Sequence, residues 1–217
     1  MELLSAFPVD FATYTAFLLT ASVIVLTPGP DTLIILRYAL TSGRNVGLAT
    51  VLGVQVGLVG HTLLAIFGIS VLIASTPWLF KAVALAGAAY IGWIGIQGFR
   101  KQGLLRVGAT GQPTISGHKA FRDAIFCNLL NPKVILLFLA LFPNFVDNTR
   151  SDVTLQLISL SVGLIVINVL WQAPMAFAAE AVRRWLKNEQ VYRLIMHATG
   201  VLLITVAVLM VYDNVMM

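Results

Sequence analysis

Apolar residues in this chain run in long blocks, with neither the alternation of a strand nor the single stripe of a soluble helix. Six such blocks stand at 11–36, 46–73, 78–99, 124–146, 153–179 and 192–212. A helix needs about 20 mainly apolar residues to cross the hydrocarbon of a bilayer. Within lipid the backbone finds hydrogen-bond partners only in its own helix. The pattern therefore predicts an all-α, polytopic membrane bundle of six transmembrane helices.

The polar residues between the blocks set the orientation. Arg37 and Arg44 fall in the first connection, and Arg100, Lys101, Arg106, Lys119 and Arg122 in the third. Arg183, Arg184, Lys187 and Arg193 fall in the fifth. The second, around 75–78, has no charge of its own, and the fourth offsets Arg150 with Asp147 and Asp152. Basic residues mark cytoplasmic loops, so the odd connections are predicted to be cytoplasmic and both termini outside. The third connection, rich in Gly, Ser and Thr, reads as a flexible linker. The chain is then one transmembrane transporter domain over 1–217: half one at 1–99, a cytoplasmic linker at 100–122, half two at 123–217. Three helices per half is an odd number, so the second half enters the membrane with opposite polarity. This is the inverted-repeat arrangement of many transporters.

Composition agrees. Hydrophobic residues make up 59% of the 217 and charged residues 11%, against roughly 25% charged in soluble domains. Mean hydropathy is +0.90. A soluble or disordered chain is excluded, and the formal charge of +5 reads as loop placement, not as a nucleic-acid surface. A cleaved signal peptide is not expected, because Glu2 and Asp10 precede the first basic residue, Arg37, and the first block is too long. The single cysteine, Cys127, excludes an internal disulfide or paired-thiol redox site and reads as a small packing residue. Gly53 and Gly57, with Ala88 and Gly92, are spaced for close helix packing.

Candidate chemistry sits where proline breaks the first helix of each half. Thr27-Pro28-Gly29-Pro30-Asp31 interrupts the first block, and Asn131-Pro132-Lys133 the fourth. Proline removes the hydrogen bond to the carbonyl four residues back: Ile24 for Pro28, Leu26 for Pro30 and Asn128 for Pro132. Thr27 is expected to cap a half-helix starting at Pro28, and Asn131 one starting at Pro132. Freed carbonyls and half-helix N-termini make sites for a cation and an anion. The alternative at Pro28, Gly29 and Pro30 is a kink that only shapes packing.

Asp31 stands six residues before Arg37, roughly 9 Å along a helix. A carboxylate at that depth costs about 2.5–3.5 kcal/mol, so it is expected to be neutralised or paired. Lys133 is the expected partner. Interfacial positions, with Lys133 snorkelling to headgroups, are the competing readings. Ser161, Asn168 and Gln172 share one helical face, which either lines a water path or bonds neighbouring helices. Gln55 and His61 do not share a face. His61 is a candidate proton carrier alongside Asp31, or a packing residue, and His197 is read as packing near the inner surface. Acid, base, amides and helix N-termini together complement a free amino acid.

At Thr27-Pro28-Gly29-Pro30-Asp31 and at Asn128-Leu129-Leu130-Asn131-Pro132-Lys133 the chain resembles the LysE/RhtB family of amino-acid exporters. Gly87-Ala88-Ala89-Tyr90-Ile91-Gly92-Trp93-Ile94-Gly95 and Leu139-Ala140-Leu141-Phe142-Pro143 support the resemblance, which covers essentially the whole chain. The homoserine/threonine-exporter branch, with a histidine in helix two (here His61), is most similar. The resemblance implies a bacterial inner-membrane protein that expels amino acids or close derivatives using the proton gradient. Protons, the amino acid and the bilayer are the implied partners, with room for a homo-oligomer and no nucleic acid. Asp31, Asn128, Asn131, Lys133, Asn168 and Gln172 are the candidate substrate-binding residues. No enzyme motif, cofactor or metal set is found. A metal-ion exporter, which wants several soft or acidic ligands together, and a structural membrane subunit are the alternatives.

Overall fold

The computed structural model describes residues 8–75, 114–182 and 188–216, with scattered positions from 78 to 99. Most of the predicted span 78–99, Arg100, Lys101, Arg106, Arg183, Arg184 and Lys187 lie outside the described residues. Among those described, all regular structure is helical: α1 (Phe11–Leu26), α2 (Pro30–Ser42), α3 (Arg44–Ser75), α4 (Gly117–Leu129), α5 (Pro132–Ala140), a 3-10 turn (Phe142–Phe145), α6 (Val153–Phe177) and α7 (Glu189–Met216).

Two helices are each long and apolar enough to cross a membrane, α3 over Arg44–Gly68 and α6 over Val153–Phe177. Two further helix pairs pass the same test only when taken together across a break. α1 meets α2 at a 54° bend, and α4 meets the helical stretch Lys133–Phe145 at 56°. α7 contains the shorter apolar stretch Gly200–Tyr212. Phe67, Leu64, Leu170, Phe177 and Leu202 are exposed, as expected of side chains that face lipid, while Phe17, Phe142, Leu157, Leu160 and Leu164 form the centre of the main core.

Local chemistry fixes the helix ends. Asp10 caps α1 by accepting the Thr13 N–H at 3.0 Å, and the Thr13 hydrogen bonds hold its carboxyl below the ordinary aspartate range. Ser116 caps α4 by accepting the Lys119 N–H at 3.3 Å. This corrects the reach of the linker: helix begins at Gly117, inside the segment expected to run to 122. Its first turns carry His118, Lys119, Arg122 and Asp123, and a hydropathy reading passes over them. Lys119 pairs with Asp123 at 2.8 Å, and Asp123 also accepts the Tyr38 hydroxyl at 2.8 Å, tying α4 to α2. Near the other end of α1, the buried Gln156 side chain accepts the Asp147 N–H at 2.8 Å and donates to Asp152 at 2.9 Å, holding the loop before α6.

α3 is the central strut, and its glycines explain why. A Cβ on Gly53 would collide with the Phe121 carbonyl and lie 2.9 Å from the Ala124 Cβ. One on Gly57 would lie 2.5 Å from Asn128 Oδ1. The G-x-x-x-G pair thus lets α3 and α4 approach at backbone distance, where dispersion contacts hold helices together in lipid. Gly57→Ala is expected to cost about 1–3 kcal/mol by overpacking and to displace Asn128. A lowered melting temperature in detergent checks the first effect. Unchanged melting would mean that the two helices move apart freely.

Candidate functional site

Both breaks face one another. α1 ends at Thr27, whose hydroxyl donates back to the Val23 carbonyl at 3.0 Å. Thr27 therefore does not cap the second half-helix. The cap is Gly29, with Pro30 in the first turn and no side-chain cap bond. The correction has a simple cause: the carbonyl one turn back offers the threonine hydroxyl a nearer partner than an amide across the break. The N-terminus of α2 is left uncapped, and Asp31 stands in its first turn, where the helix dipole favours a carboxylate. In α5 Asn131 does cap: its Oδ1 accepts the Lys133 N–H at 3.0 Å.

Lys133 reaches across from α5 and donates from Nζ to the Thr27 carbonyl at 2.6 Å. It lies against the backbone at Gly29, where a Cβ would be 3.4 Å from its Cδ and 3.7 Å from its Nζ. The ammonium thus occupies the carbonyl end of α1, the negative end of that helix dipole. Asp31 is buried, at 8% exposure, and its Oδ2 accepts Asn128 Nδ2 at 3.0 Å. Asp31 and Lys133 line the same cavity but form no ion pair within bonding distance among the described residues. Each has a different first partner, so of the two arrangements expected, direct contact or a shared cavity, the two residues take the second.

Asn128 is fully buried and joins three elements. Its carbonyl, which loses its helical donor at Pro132, accepts the Asn131 N–H at 3.0 Å and also accepts from His61 Nε2 at 3.2 Å. A carbonyl only accepts, so His61 must carry its proton on Nε2 there. The His61 ring stacks on Phe138 with centroids 5.4 Å apart. His61 thus buttresses the α4–α5 break and is not among the residues that line the cavity.

The cavity is bounded by Gly29, Asp31 and Thr32 from the first break, Asn131 and Lys133 from the second, and Asn168 and Gln172 from α6, over an apolar floor that includes Leu58, Leu137 and Leu164. About 30 Å³ of it is open to the centres of water molecules, against roughly 10–15 Å³ for one water. It is a small, partly open chamber with room for a few waters.

The stripe expected on α6 divides. Asn168 and Gln172 line the chamber, while Ser161, at 2% exposure, lies elsewhere in the packing. The partner that sequence reasoning missed is Gln55. Its Nε2 lies 3.3 Å from Asn168 Oδ1, 3.2 Å from Gln172 Oε1 and 3.2 Å from the Val51 carbonyl. No spacing within α3 points to this, because both side-chain partners sit on another helix.

A buried polar chamber where two broken helices meet, inside an apolar helical bundle, defines a multi-pass membrane protein of the broken-helix kind. The particular lineage follows from comparison: the chain belongs to the LysE type translocator family, which matches residues 22–214. It is 32% identical over 200 residues to the homoserine/homoserine lactone efflux protein of Salmonella typhimurium, covering 92% of this chain and 96% of that one. It is 29% identical to the leucine efflux protein of Enterobacter sp. (strain 638), over 82% of this chain and 84% of that one. The uncharacterized membrane protein YrhP of Bacillus subtilis is 28% identical over 87% of this chain and 93% of its own length. No solved structure matches the chain. These relatives are bacterial, and the family is one of translocators.

Proposed function

We propose that this protein exports free amino acids or close derivatives across the bacterial cytoplasmic membrane, driven by proton antiport. The observation that carries the reading is the presence, in one small chamber, of a carboxylate (Asp31) and an ammonium (Lys133) beside a helix N-terminus without a side-chain cap. A zwitterion needs these complements: carboxylate for its ammonium, ammonium and N–H groups for its carboxylate. The efflux proteins among the relatives support the same reading. A metal cation fits the donor set less well, because Lys133 would repel it. An inert structural subunit gives no reason for the burial cost of Asp31.

Asp31, Asn128, Asn131, Lys133, Asn168 and Gln172 form the substrate site in this proposal, and Asp31 accepts the proton, with His61 as the other candidate. The chamber is too tight for an amino acid, so loading requires the α1–α2 and α4–α5 pairs to separate. The near-equal bends at the two breaks support two inverted halves of three helices rocking against one another.

Loading cells with dipeptides and comparing the free amino acids outside, with and without the protein, tests export. No difference for any amino acid would overturn it. The orientation has its own test: a cysteine placed at Gly108 is expected to react with an impermeant thiol reagent in inside-out vesicles only. Reaction in intact cells would reverse the topology.

A further inference from the structure

We propose that Gln55 sets substrate selectivity by fixing which way the Asn168 and Gln172 amides face, so that the chamber favours amino acids whose side chain carries a hydrogen-bond acceptor. This rests on amino-acid export as the function and adds the side-chain subsite.

The Val51 carbonyl can only accept, so the Gln55 atom 3.2 Å from it must be the nitrogen. That nitrogen, with two protons, faces three oxygens: the Val51 carbonyl, Asn168 Oδ1 at 3.3 Å and Gln172 Oε1 at 3.2 Å, and an NH2 group turned toward it from α6 would set donor against donor. Amide orientations are assigned from hydrogen-bond networks, and this assignment sets donor toward acceptor at all three contacts of the Gln55 nitrogen. With their oxygens turned to Gln55, Asn168 and Gln172 have their NH2 groups remaining. Among the described residues these nitrogens donate to no partner, and both side chains line the chamber. Gln55 Oε1 is buried without a partner, so the nitrogen makes all the hydrogen bonds of the Gln55 side chain.

The α6 wall therefore offers donors. A ligand whose ammonium meets Asp31 and whose carboxylate meets Lys133 turns its side chain toward the remaining lining, the apolar floor and these two NH2 groups. An apolar side chain leaves the donors unpaired, whereas a carbonyl or hydroxyl oxygen pairs with them. Sites built to bond a polar group reject the analogue lacking it far more strongly than apolar pockets reject an added methyl.

The test uses purified protein in proteoliposomes and two near-isosteric substrates, leucine and 2-amino-4-oxopentanoate, in which a carbonyl oxygen replaces one terminal methyl. Wild type is expected to prefer the oxo compound at least about tenfold in transport efficiency, which corresponds to about 1.4 kcal/mol. Gln55→Glu changes one atom. The new carboxyl group, charged or donating its proton to the Val51 carbonyl, offers oxygen to α6 and turns both amides round. The preference is then expected to vanish or invert. Gln55→Met, which releases the amides without reversing them, should bring the ratio toward unity. Gel filtration and melting in detergent identify variants that fail to fold, and the wild-type ratio bears on the proposal even if Gln55→Glu does not fold. Equal transport of both compounds by wild type, or a preference that survives Gln55→Glu, overturns the inference and leaves export standing. Transport of neither compound, nor of any amino acid in a mixed panel, overturns export itself.

Discussion

Asp31→Asn is expected to abolish export driven by a pH gradient while leaving the protein folded in the membrane. The substitution is isosteric, and Asn128 Nδ2, which lies 3.0 Å from Asp31 Oδ2, still finds an oxygen on the new amide. It removes a charge whose burial costs about 2.5–3.5 kcal/mol, so stability should hold or rise. Function loses two things at once. An ammonium bound to a carboxylate makes charge-assisted hydrogen bonds roughly twice as strong as neutral ones, and an amide cannot take up a proton near neutral pH. The expected loss is at least about tenfold in substrate affinity, or about 1.4 kcal/mol, with no residual acceleration by external acid. Counterflow without a gradient separates the two roles: a residue that only carries protons leaves exchange intact. Normal export across a range of external pH would show that Asp31 is neither carrier nor ligand. Proton coupling would then pass to His61.

The outline of this site is legible in the sequence because proline acts locally. Pro132 opens the second part of its broken helix as expected, and Pro30, two residues beyond the expected Pro28, opens the other, both with the missing N–H and fixed φ that suit a first turn. The Asn131 cap is legible for the same reason. What is not legible depends on contacts between elements. The Lys133 ammonium goes to a backbone carbonyl at Thr27, and every residue has one of those, so no residue type marks it. Gln55 looks isolated on α3, yet it orders two amides on α6. The start of α4 is hidden because its first turns carry charge and hydropathy sees only the apolar part. The Gly53–Gly57 pair, by contrast, predicts close packing, and α4 meets α3 at both glycines.

The two charges of the site also differ in what else they hold together, and this separates their variants. Lys133 joins the start of α5 to the end of α1 through the 2.6 Å bond to Thr27, so Lys133→Met removes a mechanical tie together with a charge. A hydrogen bond to a charged group contributes about 1.5–3 kcal/mol, and the carbonyl of Thr27, a buried residue, is left without it. Lys133→Met is therefore expected to melt at lower temperature than wild type, unlike Asp31→Asn, and to lose most export. Lys133→Gln separates tie from charge. Its amide can donate toward the Thr27 carbonyl, so it should recover part of the stability lost in Lys133→Met. It cannot pair with a substrate carboxylate as an ion, so its substrate affinity should stay at least about tenfold below wild type, about 1.4 kcal/mol. Affinity measured by binding to protein in detergent, beside melting, reads the two effects independently. If Lys133→Gln restores both stability and affinity, Lys133 is a strap between the broken helices, and the substrate carboxylate is held by the open N-terminus of α2 alone.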